Sequence, residues 1–159
     1  MDGDVTIRPI RPDDWRRLQE FHLRLSPEAI RLRFHAYLRE LPDDMAHRFC
    51  EVDGYVRVAF VAVSGAPERI VGVGRYDRVG TEVAEMAFVV EDAYQRKGIG
   101  TTLLNHLLQR ARTDGAKTFL ARVLPGNTPM RHLLEKTGCP IRTERGFHGD
   151  ADLLWLALS

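Results

Sequence analysis

Apolar positions fall into two alternating regimes along this chain. Val5, Ile7 and Pro9 alternate with Thr6 and Arg8, which predicts a strand near 4–9. From Asp13 the spacing becomes helical, with Trp15, Leu18, Phe21 and Leu25 on one face. Ser26-Pro27-Glu28 is a second helix start, a capping serine followed by proline and an early acid; that helix carries Ile30 and Phe34. Pro42-Asp43-Asp44 opens a third, with Met45 and Phe49 on one side. Three β-branched runs, Val56–Val63, Ile70–Tyr76 and Glu82–Val90, then predict an antiparallel meander. Ile99, Leu103, Leu104, Leu107, Leu108 and Ala111 restore the helical stripe up to Asp114-Gly115. A strand at Thr118–Val123, a short helix from Asn127 to Thr137 ended by Gly138, and a hairpin of Ile141–Phe147 with Asp152–Leu158 complete the pattern. The order predicts a mixed α/β or α+β fold with one βαβ crossover near its centre. No linker or repeat divides it, so residues 1–159 are read as one domain.

Composition narrows the function classes. The chain has 159 residues, 44% hydrophobic and 28% charged, enough to bury a core. A net charge of +1 argues against a generic nucleic-acid binder and gives no reason to expect a membrane partner. The acidic Met1-Asp2-Gly3-Asp4 start has no apolar run, so no leader is expected. Two cysteines, Cys50 and Cys139, fit a reducing cytoplasm. Six histidines with these cysteines give no four-ligand spacing, so no metal is expected.

The candidate chemistry lies between the third run and the long helix. Gln95, Arg96, Lys97, Gly98, Ile99 and Gly100 lead from a strand into a helix N-terminus. Two glycines let a ligand approach the backbone. The first helical N–H groups, aided by Arg96 and Lys97, suit a pyrophosphate. The spacing is neither a P-loop nor a dinucleotide fingerprint.

Gln95, Gly98 and Gly100 in this context resemble the Q/R-x-x-G-x-G/A acyl-CoA motif of the GNAT N-acetyltransferases. LPGNTPMRHLLEKTG is similar to the family's second cofactor segment, with Asn127 opening the helix. The resemblance implies a mostly antiparallel sheet of about seven strands flanked by helices, with acetyl-CoA as cosubstrate. It implies cofactor contacts along Gln95–Thr101, with Thr101 and Asn127 included. It also implies that the backbone of Phe88, Val89 and Val90 supplies an oxyanion donor and pairs with pantetheine. Asn127 is read both as a pantetheine contact and as a helix cap. Arg131 and Lys136 are read as solvated helix charges or as ligands of the adenosine 3′-phosphate.

IRPIRPDDWRRLQEFHLRLSPEAIRLRF, VGVGRYDR and AEMAFVVEDAYQRKGIG resemble the catalytic domain of bacterial Pat-type protein lysine acetyltransferases. That resemblance implies transfer of acetyl to a lysine of a protein, an acyl-CoA synthetase, with Glu85 as general base. Small-amine acetylation and an acyl-CoA sensor without turnover are the alternatives. Glu82 and Glu85, three residues apart, face opposite sides unless a bulge intervenes. For Glu85 to act near neutrality, burial beside Met86, Phe88 or the cofactor has to raise its pKa. Leu134 stands where many relatives carry an acid tyrosine; Tyr94 is read as a substitute acid or, the favoured reading, as packing under the loop. Arg31 and Arg33 are read equally as a docking patch and as a solvated face. Pat-type enzymes commonly join this domain to a regulatory one. With no space for it in 159 residues, the chain is expected to be a stand-alone unit or an excised domain.

Overall fold

The computed structural model describes residues 4–158; the expectation of no leader, read on Met1-Asp2-Gly3-Asp4, falls on residues of which the first three lie outside them. Seven strands form one sheet: β1 (Val5–Pro9), β2 (Arg57–Ser64), β3 (Arg69–Arg78), β4 (Val83–Val90), β5 (Thr118–Val123), β6 (Ile141–Glu144) and β7 (Asp152–Ala157). Their spatial order is β1-β2-β3-β4-β5-β7-β6. Every pairing is antiparallel except β4–β5, which is parallel. A parallel pair needs a crossover, and α4 (Ile99–Thr113) supplies it. This is the predicted mixed, mostly antiparallel architecture.

β2 is buried on both faces because a layer packs on each side. On one face Val58, Phe60 and Ala62 meet Leu103, Leu104 and Leu107 of α4 and Leu134 of α5 (Thr128–Glu135). On the other, Ala59, Val61 and Val63 meet α1 (Trp15–Arg24), α2 (Pro27–Phe34) and α3 (Asp43–Cys50). Each fully buried leucine contributes about 1.5–3 kcal/mol. Gly72 and Gly74 let α4 cross β3 closely: a Cβ at Gly72 would stand 3.3 Å from Ile99, and one at Gly74 would stand 3.2 Å from Leu107.

Ser26 caps α2 by accepting from the Ala29 N–H at 3.1 Å. Its own N–H and hydroxyl donate to Asp92 at 3.1 and 2.8 Å. Arg24 Nε donates to the buried Glu91 at 2.9 Å, and Arg24 Nη2 donates to the Ile70 carbonyl at 2.7 Å. The α1–α2 corner is thereby fastened to the segment that follows β4.

Three local expectations are sharpened or revised. Asp13 and Asp14 lie in a 3-10 turn, Pro12–Asp14, that runs directly into α1 with Asp14 at its N-cap; Asp14 is held by Arg8 and Arg11. β6 stops at Glu144 because the chain turns where His148 and Gly149 have positive φ and Gly146 N–H bonds Asp152. The β3–β4 register runs without a shift from Gly72/Val90 to Arg78/Ala84. The bulge lies instead opposite Ala62/Val63 of β2, where Val71 is the extra residue.

Candidate active site

β4 and β5 pair only from Val83/Thr118 to Met86/Ala121, although β4 continues to Val90 and β5 to Val123. Beyond Met86 the two strands part. Glu91 N–H bonds the Val71 carbonyl and Val79 N–H bonds the Val83 carbonyl. In an antiparallel ladder such pairs recur every second residue. Odd residues of β4, Val89 included, therefore turn both backbone groups to β3, and Phe88 and Val90 turn theirs into the gap. Gln95 Nε2 donates to the Val90 carbonyl at 3.1 Å. The Phe88 N–H and C=O and the Val90 N–H remain for a ligand's amides. Val89 borders the gap with its side chain, not with an available donor.

Below the gap, the chain enters α4 through Arg96 (φ +63) and Gly98 (φ +83). The first intrahelical bond is Thr102 N–H to Gly98 O at 3.0 Å. The N–H groups of Ile99, Gly100 and Thr101 thus precede the ladder and sit at the positive end of the helix dipole. The Ile99 side chain is core. Lys97 lies over the Tyr94 ring, its Nζ 5.4 Å from the centroid. Tyr94 is buried under the loop, and its hydroxyl accepts from Arg69 at 3.1 Å.

Gap and loop open into one cleft of about 570 Å³. α2 closes it with Ala29, Leu32 and Arg33, and α5 with Met130 and Leu133, followed by Lys136 just past the helix end. Gly98 lines it with no heavy atom within 4 Å of where a Cβ would stand, and a Cβ at Gly100 would stand 3.5 Å from Leu133. Asn127 also lines it while accepting from Met130 N–H at 3.3 Å, so the residue is a cap; its amide NH2 makes no hydrogen bond to a described residue. Lys136 reaches the cleft, whereas Arg131 is ion-paired with Asp152. Leu134 is fully buried in the core.

Glu85 projects to the face opposite Met86 and Phe88, which corrects the expectation of burial beside either of them. It lies on the α1–α2 side, half-buried, with Arg122 Nε at 2.6 Å. Glu82 is on the other side of the strand's start, exposed beside Lys117 at 3.4 Å. His35 stands near Arg33 and Arg122; burial, then these cations, pushes its imidazole down from the ordinary value. Among the described residues no His, Cys, Asp and Glu cluster suits a metal, and no helix is long and apolar enough to cross a membrane.

A parallel strand pair that splays over a helix N-terminus defines an acyl-CoA-type acyltransferase site. The Acetyltransferase (GNAT) family matches residues 15–139, and the chain belongs to that family of acetyl-CoA-dependent N-acetyltransferases. The acetyltransferase Pat of Mycolicibacterium smegmatis is 32% identical over 134 residues, 83% of this chain and 40% of Pat. An acetyltransferase of Pseudomonas aeruginosa is 32% identical over 132 residues, 81% of this chain and 71% of that protein. The GNAT domain of S. lividans PAT superposes with a TM-score of 0.88 at 33% identity, covering 98% of this chain and 91% of that one. The chain therefore spans less than half the length of the M. smegmatis relative.

Proposed function

We propose that residues 1–159 form one catalytic domain that acetylates the ε-amine of a lysine in a protein, an acyl-CoA synthetase, with Glu85 as general base. The likeness to the S. lividans PAT domain over 98% of the chain carries this reading. A cytoplasmic setting agrees with two free cysteines, one of them, Cys50, with a thiol pushed up to about 12 by burial.

When bound, acetyl-CoA supplies the acyl thioester. The α4 N-terminus and the Gln95–Thr101 loop would hold its pyrophosphate, and the free groups of Phe88 and Val90 its pantetheine arm. A backbone N–H at this point of β4 also stabilises charge developing on a carbonyl oxygen. A lysine amine has a pKa near ~10.4, so freeing it at pH 7.4 costs roughly 4 kcal/mol. Glu85, oriented by Arg122, would accept that proton directly or through one water.

Incubation with acetyl-CoA and purified acyl-CoA synthetases, read by mass spectrometry, is expected to show acetyl-lysine on a synthetase. Rapid acetylation of a polyamine or aminoglycoside with no synthetase modified overturns the reading. A separate prediction concerns the loop. Gly98→Val places a β-branched side chain at φ +83 and in the ligand's space. Left-handed backbone alone costs an L-residue about 1–2 kcal/mol. Calorimetry is expected to show acetyl-CoA binding weakened about tenfold or more; an unchanged Kd removes the loop from the cofactor site.

A further inference from the structure

Arg31 and Arg33 are two residues apart on α2, so they cannot share a face. Arg31 turns to solvent and pairs with Glu28, its Nη2 2.8 Å from Oε1. Arg33 turns inward, stacks on Phe34 with Cζ 4.6 Å from the ring centroid, and lines the cofactor cleft. It also lines a second, smaller cavity beneath α1–α3, which shares Val89 with the cleft. Arg75 of β3 enters that cavity from below and is 6% exposed. Its Nη1 donates to the Phe49 carbonyl at 3.2 Å, and its Nη2 is buried with no partner.

Neither guanidinium forms an ion pair with a described carboxylate. Asp77 and Glu85 act on Arg33 favourably, but Asp77 faces Arg57 at 3.7 Å and Glu85 faces Arg122 at 2.6 Å. Burial, then Arg75, pushes Arg33 down to about 10; burial also lowers Arg75. Two cations facing one apolar cavity without a counter-ion are costly. A carboxylate between them would satisfy the orphaned Nη2 and present two oxygens to guanidinium forks. The cavity, about 30 Å³, has room for roughly two water-sized atoms. That fits a carboxylate and is tight for a phosphoryl group.

We propose that Arg33 and Arg75 form a carboxylate-binding subsite opening off the cofactor cleft. The carboxylate is carried either on the acyl group of a dicarboxylic acyl-CoA or on the acceptor near its amine. The inference rests on the acyl-CoA reading above. The transfer itself is unchanged: the amide C–N bond forms, the thioester C–S bond breaks, the amine's proton goes to Glu85 or solvent, and CoA leaves as the thiolate. The carboxylate takes no part in bond making.

The test titrates the wild type, Arg33→Gln and Arg33→Lys with acetyl-CoA and succinyl-CoA by calorimetry. It also measures KM for lysine peptides bearing a flanking Glu or Gln. A bond to a charged group is worth about 1.5–3 kcal/mol, or roughly ten- to hundredfold. If the acyl group carries the carboxylate, Arg33→Gln shifts the ratio of the two acyl-CoA Kd values against succinyl-CoA by about tenfold or more. If the acceptor carries it, the same variant shifts the Glu/Gln peptide KM ratio by that factor. Arg33→Lys, which keeps the charge without the fork, falls between. Both ratios staying within about threefold of wild type overturn the subsite while acetyl-CoA still binds. Wild-type protein that binds neither acyl-CoA overturns the cofactor reading and the subsite with it.

Discussion

Glu85→Gln is expected to lower kcat at neutral pH by roughly 10²–10⁴, the usual contribution of a positioned general base. The substitution is nearly isosteric, and the amide oxygen can still accept from Arg122 Nε, which stands 2.6 Å from Glu85 Oε1. Basicity is lost while geometry is kept. Glu85 is on the sheet face opposite Phe88 and does not line the cleft, so acetyl-CoA affinity is expected to stay within a few-fold. The pH profile separates this role from a structural one. Without a base the rate follows the free-amine fraction, rising about tenfold per unit below the lysine pKa of ~10.4. Variant and wild type should therefore converge at high pH. Steady-state kinetics on an acetylated synthetase, with calorimetry for acetyl-CoA, checks both parts. A variant within about threefold of wild type at pH 7.4 would remove Glu85 from the chemistry. Turnover absent from both would favour the sensor reading.

The parts of the site that were legible in the sequence are those fixed by neighbours in the chain. Ser26-Pro27 reads as a helix start, and Ser26 does cap α2. The period change after Gly98 marks α4, and the glycines mark a backbone open to a ligand. The spacing of Glu82 and Glu85 gives their opposite faces once the strand is regular, and no bulge disturbs it. What could not be read is set by distant partners. The gap beyond Met86 exists because β5 follows β7 as far as Val123/Asp152 while β4 stays with β3. Helix spacing separates Arg31 from Arg33, but that Arg33 shares a cavity with Arg75 depends on a residue far along the chain. Arg131 resembles a phosphate ligand until Asp152, 21 residues away, is seen to hold it. The absence of a bulge in β4 and the presence of one at Val71 are properties of a pairing, which no single strand's sequence declares.

The opening R-P-I-R-P-D-D is a second case, and it carries the largest stability effect expected. Asp14 is fully buried. Its carboxylate accepts from Arg8 Nη1 and Nη2, both at 2.8 Å, from Arg11 N–H at 2.7 Å and from Arg17 at 3.2 Å. Burial alone would raise its pKa; the bonds from Arg8 and Arg11 outweigh it and hold the carboxyl below the ordinary carboxylate value. Removing one partner of a buried pair costs about 3–5 kcal/mol. Glu68, 3.1 Å from Arg8 Nη2, remains to pair that cation, so Asp14→Asn should cost about 3 kcal/mol. For a chain of this size that is a Tm lower by roughly 6–12 °C. Because the folded pKa is depressed, the stabilisation is present above the unfolded value of ~3.9 and is lost as pH falls through the folded pKa. Urea midpoints should therefore differ widely between wild type and variant at pH 7 and draw together toward pH ~2. A cost under about 1 kcal/mol at pH 7, or a gap that does not narrow with acid, would contradict it. The consequence reaches the site through α1. Asp14 sets where that helix begins, and at its other end Arg24 and Ser26 grip Glu91 and Asp92. Loosening the start should then weaken acetyl-CoA binding as temperature rises, well before global unfolding. The R-P-I-R-P-D-D segment thus fastens the start of the helix whose far end holds the wall of the cleft.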